Sequence, residues 1–298
     1  MAGAYFTGCA VWAFKDWVGE FYPRGSKPGD FLRLYGDRLT AVEGNTTFYS
    51  MPDSKTIDRW AATMPPGFRF CPKLPRAFSH QGKLVPFIED AHRFLQTLTP
   101  LGNRLGPLFI QLPPTYSPEY LSDLREFLTR WPRQQHPIAV EVRHLDWFAA
   151  PHATRLNQML TSLGVGRVLL DTRPIYDCID TPDDDPQIGS ERKKPKVPLQ
   201  PEVTAAFTIV RYISHPDLAY NQPYFDEWVL RLRQWLTAGT DVYFFAHCPQ
   251  EARSPAVARA VYHQLQRLGV ELPELLWDGA ERQRAEEDTS PAQLSLFG

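Results

Sequence analysis

Charged and amide side chains recur at one kind of position in this chain, the far ends of short apolar segments. Glu43 and Asn45 close AVEGN, Lys73 closes GFRFCPK and Gln111 closes LFIQ. Glu141 and Arg143 close PIAVEVR, Asp171 closes VGRVLLD, Arg211 lies near the end of AFTIVRYI, and His247 ends DVYFFAH. Lys73, Arg143 and Arg211 suit an anion, because Arg presents a two-pronged fork to phosphate or carboxylate. Lys73, desolvated beside Phe70 and Cys71, would alternatively be a nucleophile of the Schiff-base kind. Glu43 and Glu141 are the expected general acid and base, since two carboxylates among unequal neighbours have their proton affinities pushed apart. Asp171 and His247 are expected to assist them, and Asn45 and Gln111 to bind the same substrate. Trp147, one of the aromatic group Trp12, Trp17, Phe48, Tyr49, Trp147 and Phe148, is placed to stack on a sugar or base.

Each of these readings has a plainer counterpart. Buried charges are costly unless paired, so the polar groups would satisfy one another, and large aromatic residues ordinarily fill cores. His247, His215, His144 and His80 would join Asp171 or Glu141 around a divalent metal, but no HxH or HExxH spacing supports that set, and no cofactor is expected.

These residues need elements to position them, and the hydrophobic pattern supplies a regular series. Strands are predicted at Tyr5–Ala13, Ala41–Ser50, Gly67–Lys73, Leu105–Leu112, Pro137–Arg143, Val165–Asp171, Ala206–Ile213 and Asp241–His247. Between and after them, helical spacing is found at Asp30–Leu39, in a helix capped by Ser54, and at Pro86–Leu98, Pro118–Thr129, His152–Leu163, Gln222–Leu236 and Ser254–Leu268. Alternating strand and helix with crossover-length spacing implies parallel strands, and eight such units predict a closed (β/α)8 barrel, the TIM-barrel fold. An open doubly wound sheet would normally bring a GxGxxG turn after its first strand, and there is none. In a barrel of this kind, sites form at the C-terminal ends of the strands, where the polar residues above fall.

Two segments depart from the pattern. Residues 172–200 hold an acidic run, DTPDDDP, and a basic one, RKKPKVP, and read as a long irregular loop over one end of the barrel. From 279 onward the chain is charged and poor in apolar groups, so the barrel domain is taken as 1–278 and 279–298 as a disordered tail. The tail nevertheless ends in Gln293, Leu294, Ser295, Leu296 and Phe297. Apolar anchors on a loose end suit insertion into a partner's groove; the alternative is that they fold back on their own domain.

Composition sets the outer bounds. A net charge of −2 over 298 residues gives no global attraction to nucleic acid. The 4 cysteines form no CxxC pair, which fits a reduced cytoplasm. No apolar run is long enough to span a membrane, and no export signal is seen.

Several segments together resemble the domain-of-unknown-function 72 family of YecE-like proteins: VEGNTTFY, FRFCPKLP, SHQ, QLPPT, VEVRH, LLDTRP, RKKPKVP and VRYISHP. The resemblance runs from Gly8 to about Trp277. It implies a TIM barrel and no established activity. Many members resemble one another in carrying asparagines after the last strand, where this chain has Ala246-His247-Cys248-Pro249. QLSLF separately resembles the peptide by which bacterial polymerases and repair proteins dock on the DNA sliding clamp. The resulting expectation is a hydrolase or lyase that acts on a phosphate-bearing or nucleic-acid-derived substrate and is recruited to the clamp. The alternatives are a non-catalytic binding module in DNA maintenance and a sugar-phosphate enzyme with an incidental tail.

Overall fold

Strands and helices alternate along the chain in a computed structural model that describes residues 2–177 and 194–289. The strands are β1 Tyr5–Cys9, β2 Ala41–Gly44, β3 Arg69–Pro72, β4 Leu108–Gln111, β5 Ile138–Glu141, β6 Gly166–Asp171, β7 Phe207–Ile213 and β8 Asp241–His247. All are paired in parallel, β1-β8-β7-β6-β5-β4 forming one sheet and β2-β3 another. The expected order of eight strands is therefore present, but as two sheets rather than one closed ladder. The reason is local. In place of a ladder, the join of β2 to β1 is made at Thr40, whose N–H donates to the Thr7 carbonyl (3.1 Å) and whose hydroxyl accepts from the Thr7 N–H (2.8 Å). At the other end of this small sheet, single bridges pair Phe70 with Leu105 and Lys73 with Phe109. Gly8 permits the close approach of β1 to β2, since a Cβ there would stand 1.8 Å from the Ala41 carbonyl oxygen.

Several boundaries differ from those predicted. The second strand ends at Gly44 instead of Ser50 and turns into a single helical turn, Thr46–Tyr49, held by the Thr47 hydroxyl donating to the Gly44 carbonyl (2.8 Å). Asp53, rather than Ser54, caps the helix Ser54–Thr63, its carboxylate accepting from the Thr56 N–H. His152–Leu163 agrees with expectation and ends on Gly164, whose φ of 64° is the left-handed conformation that glycine adopts without strain. The helix expected at Gln222–Leu236 runs from Leu218 to Thr237, because Asp217 caps it a turn earlier. Among the described residues, no helix is long and apolar enough to cross a membrane.

Helix Leu276–Thr289 continues past Gly279, where the barrel domain was expected to end. Trp277 packs edge-on against Phe21 at 4.9 Å, and the Arg259 guanidinium lies over its ring at 4.4 Å. Arg259 also donates to Asp278 (2.7 Å) and Glu281 (2.6 Å). Charges that read as solvating composition are thus spent on ion pairs to the preceding helix, Ser254–Arg267. The peptide Gln293–Phe297 and loop residues 178–193 lie outside the described residues. The returning arm of that loop begins at Lys194, and its Val197 packs over Leu170, Ile175 and Ile213.

The interior is layered by the two-residue period of the strands. Ala41, Cys71, Phe109, Ala139, Val168, Ile209 and Phe245 form one apolar cluster, drawn from β2 through β8. Side chains two residues further along the same strands occupy the next layer, toward the C-terminal ends. Those positions are Glu43, Lys73, Gln111, Glu141, Leu170, Arg211 and His247.

Candidate functional site

Arg211 sits at the centre of the polar layer. Its Nε and Nη2 donate to the two oxygens of Glu43 (2.8 and 3.0 Å), and its Nη1 donates to Glu141 Oε2 (2.6 Å). The other oxygen of Glu141 accepts from Arg143 Nε at 2.6 Å. Lys73 Nζ donates to Asn45 Oδ1 (2.6 Å) and Gln111 Oε1 (3.1 Å), and stands 3.6 Å from Glu43 Oε1. His247 Nε2 lies 2.9 Å from Glu43 Oε2. Eight sequence-predicted residues therefore meet at one end of the strands: Glu43, Asn45, Lys73, Gln111, Glu141, Arg143, Arg211 and His247. Asn45 reaches the cluster even though it lies past the end of β2, because the turn that follows aims it inward and its amide donates to the Ala10 carbonyl.

Two predicted residues lie elsewhere. Asp171 is one position out of phase with Val168 and Leu170 and so faces the helices. There it accepts from Trp228 Nε1 (2.7 Å) and from the guanidinium of Arg173, which also pairs with Glu227 (2.7 Å). Trp147 is fully buried, its indole N–H donating to the Tyr116 carbonyl (2.7 Å), and it belongs to the main hydrophobic core rather than to a binding surface.

The charge environment also differs from the expected split between two carboxylates. Burial pushes the Glu141 carboxyl up, but Arg211 and Arg143 outweigh it and bring it down to about 2. Glu43 follows the same pattern: burial raises it, and Arg211 leads the groups that hold it well below the usual carboxylate range. Both are therefore pulled the same way and stay ionised. Burial lowers His247 to about 4 despite its neighbour Glu43. It is neutral at neutral pH, and its link to Glu43 is a hydrogen bond from Nε2–H. Lys73 is lowered to about 8, first by burial and then by Arg211, against the opposing pull of Glu43 and Glu141.

Other groups border the cluster. Lys194, at the start of the arm returning from the long loop, is half-buried, its carbonyl accepting from Tyr176 Oη (2.5 Å). Burial, followed by Arg211, lowers its amine. Glu251 follows β8; burial pushes it up to about 7, and its Oε1 has no hydrogen-bond partner among the described residues. Sequence reasoning passed over Glu251, although the rule that sites lie in the loops after strands would have included it. His80 is hydrogen-bonded to Ser79 (2.9 Å) and lowered to about 4 by burial, then by Arg76, Arg143 and Lys73.

The four histidines considered for a metal are spread over separate hydrogen bonds. His215 Nδ1 accepts from the Asp217 N–H and His144 Nδ1 from the Asp146 N–H, while His80 and His247 bond Ser79 and Glu43. Among the described residues, no group of three or more His, Cys, Asp or Glu side chains is arranged to hold a metal ion.

Comparison with known proteins fits this architecture. A family profile described as "Protein of unknown function DUF72" matches residues 6–279. UPF0759 protein YecE of Escherichia coli (strain K12) is 35% identical over 271 residues, covering 91% of this chain and 94% of that one. Two crystal structures of a DUF72 family protein from Enterococcus faecalis V583 superpose with TM-scores of 0.63 and 0.64 at 19% identity. They cover 90% and 91% of this chain and 99% and 98% of theirs, a likeness of fold. A profile match over nearly the whole described chain, joined to a relative above 30% identity across almost its full length, establishes that the protein belongs to the DUF72 family.

Proposed function

We propose that the C-terminal ends of the strands form the mouth of a (β/α)8 barrel that binds a phosphate-bearing, nucleic-acid-derived substrate and acts on it as a hydrolase or lyase. The observation that carries this reading is the imbalance of the buried cluster. Among the described residues, Lys73, Arg143 and Arg211 pair only with Glu43 and Glu141, so the cations of the cluster outnumber its carboxylates by one, while the half-buried Lys194 at its edge has Glu251 near it. Burying unbalanced positive charge is costly, and a bound anion removes the cost. Arg143 is the most open of the three, with 18% of its side chain exposed, and presents the phosphate contact.

Proton transfer in this scheme falls to Lys73. Glu43 and Glu141, ionised by their arginines, orient Arg211 and hold the charge of the site, which leaves neither as an acid. An amine poised at about 8 takes up and returns a proton near neutral pH. Asn45 and Gln111 fix its position by accepting from Nζ.

For the partner, we retain the docking of Gln293, Leu294, Ser295, Leu296 and Phe297 on a bacterial DNA sliding clamp, a reading supported by the sequence of that peptide alone.

Calorimetric titration of the full chain with inorganic phosphate and ribose 5-phosphate tests the first part. Both bind wild type, and Lys73→Met and Arg143→Ala each weaken binding at least tenfold. If the intact protein binds neither, the anion reading is wrong. Titration of purified clamp with the chain, with and without residues 293–298, tests the second. Equal binding, or none by either form, removes the clamp.

A further inference from the structure

Beside the charged cluster runs a groove of about 510 Å³ that none of the roles above uses. Phe48, Tyr49, Met51, Arg76, Phe78 and His80 are among the residues that line it. The groove and the cluster share a wall. The Phe48 ring lies 4.9 Å from Lys73 Nζ, a cation–π contact, and the His80 ring stands edge-on to Phe48 at 5.3 Å. His80, which lines the groove, is also near enough to Arg143 and Lys73 of the cluster to feel their charge.

We propose that this groove is the base subsite of a nucleoside monophosphate whose phosphate occupies the cluster; the inference rests on the anion reading above and specifies its substrate class. The occupant follows from the chemistry of the walls. Tyr49 is 79% exposed, an unusual position for a large aromatic ring beside a polar site, and it meets Phe48 edge-on at 5.1 Å, so the pair forms a corner rather than a closed stack. A flat π-system completes such a corner, because aromatic faces stack on bases without demanding a particular sequence. Met51, 47% exposed, adds a soft, polarizable contact of the kind that favours ring edges. Ring polarity is met by His80, neutral at neutral pH and fixed through Ser79, whose hydroxyl also lies 3.2 Å from the Pro75 carbonyl. A plain sugar phosphate would fill the cluster and leave the aromatic corner empty.

The test compares adenosine 5′-monophosphate with ribose 5-phosphate by calorimetry on the full chain. Adenosine monophosphate binds about 5- to 140-fold more tightly than ribose 5-phosphate, the range expected from stacking one base on an aromatic side chain. Tyr49→Ala, at a surface position the fold does not need, removes that preference while leaving ribose 5-phosphate affinity unchanged. Equal affinities for the two ligands in wild type overturn the base subsite and leave the anion reading standing. A base preference that survives Tyr49→Ala overturns the assignment to this groove. If neither ligand binds, both readings fall together.

Discussion

The protein carries two ionic networks of similar make-up on opposite faces of its strands, and they differ in their balance. Outside, Asp171 and Glu227 are matched by Arg173 and Arg231, and Trp228 supplies a further donor to Asp171. Inside, Glu43 and Glu141 face Lys73, Arg143 and Arg211. The outer network closes on itself: two carboxylates meet two guanidiniums, and three of the four side chains are about a third exposed. Among the described residues, the inner one holds one cation more than it has carboxylates, in a place that water reaches chiefly at Arg143. Self-sufficient charge fastens helix to strand, whereas surplus charge waits for a ligand.

Removing the hub of the inner network should have the largest effect. Arg211→Met leaves Glu43 and Glu141 facing each other without their shared guanidinium, and is expected to destabilise the fold by about 3–5 kcal/mol in urea unfolding. A loss below about 1 kcal/mol would mean that the inner network is as solvent-relaxed as the outer one.

The next effect is a dependence on pH. Folded Lys73 gives up its proton at about 8, whereas its ordinary value is 10.5. Between these values the unfolded chain holds more protons, so the stability of wild type should rise with pH relative to Lys73→Met, by up to about 1.4 kcal/mol per pH unit. Unfolding of both proteins across pH 7 to 11 measures it. A constant difference would show that folding does not lower the Lys73 amine.

The smallest effect belongs to the outer network. Asp171→Asn keeps an acceptor for Trp228 and frees Arg173 to turn to Glu227 and solvent. The expected loss is about 1–2 kcal/mol with phosphate binding unchanged. Loss of phosphate binding would join the two networks and erase the distinction.

Much of this arrangement was legible in the strand pattern. Glu43, Lys73, Gln111, Glu141, Arg211 and His247 each follow an interior apolar residue by two positions, and that spacing alone places them on one face. The same rule, applied to VGRVLLD, puts Leu170 inside and Asp171 outside; treating the end of a segment as equivalent to its inner face misassigned the aspartate. Trp147 could not be sorted in this way, since a loop aromatic has no period to read. Nor does sequence tell that one arginine on β7 reaches carboxylates on β2 and β5, because 168 and 70 residues separate the partners. The helix at 276–289 was hidden for a different reason: composition counts charges but does not reveal that Arg259 stands across from Asp278 and Glu281.

Arg211 has a mechanical consequence as well. Glu43 belongs to the small two-stranded sheet and Glu141 to the large one, so a single side chain bolts the two sheets together from within. Lys73 does likewise, joining β3 to Gln111 of β4. Where the backbone ladder lapses, polar side chains act as the fasteners, and the grip on a ligand and the union of the two sheets depend on the same few bolts.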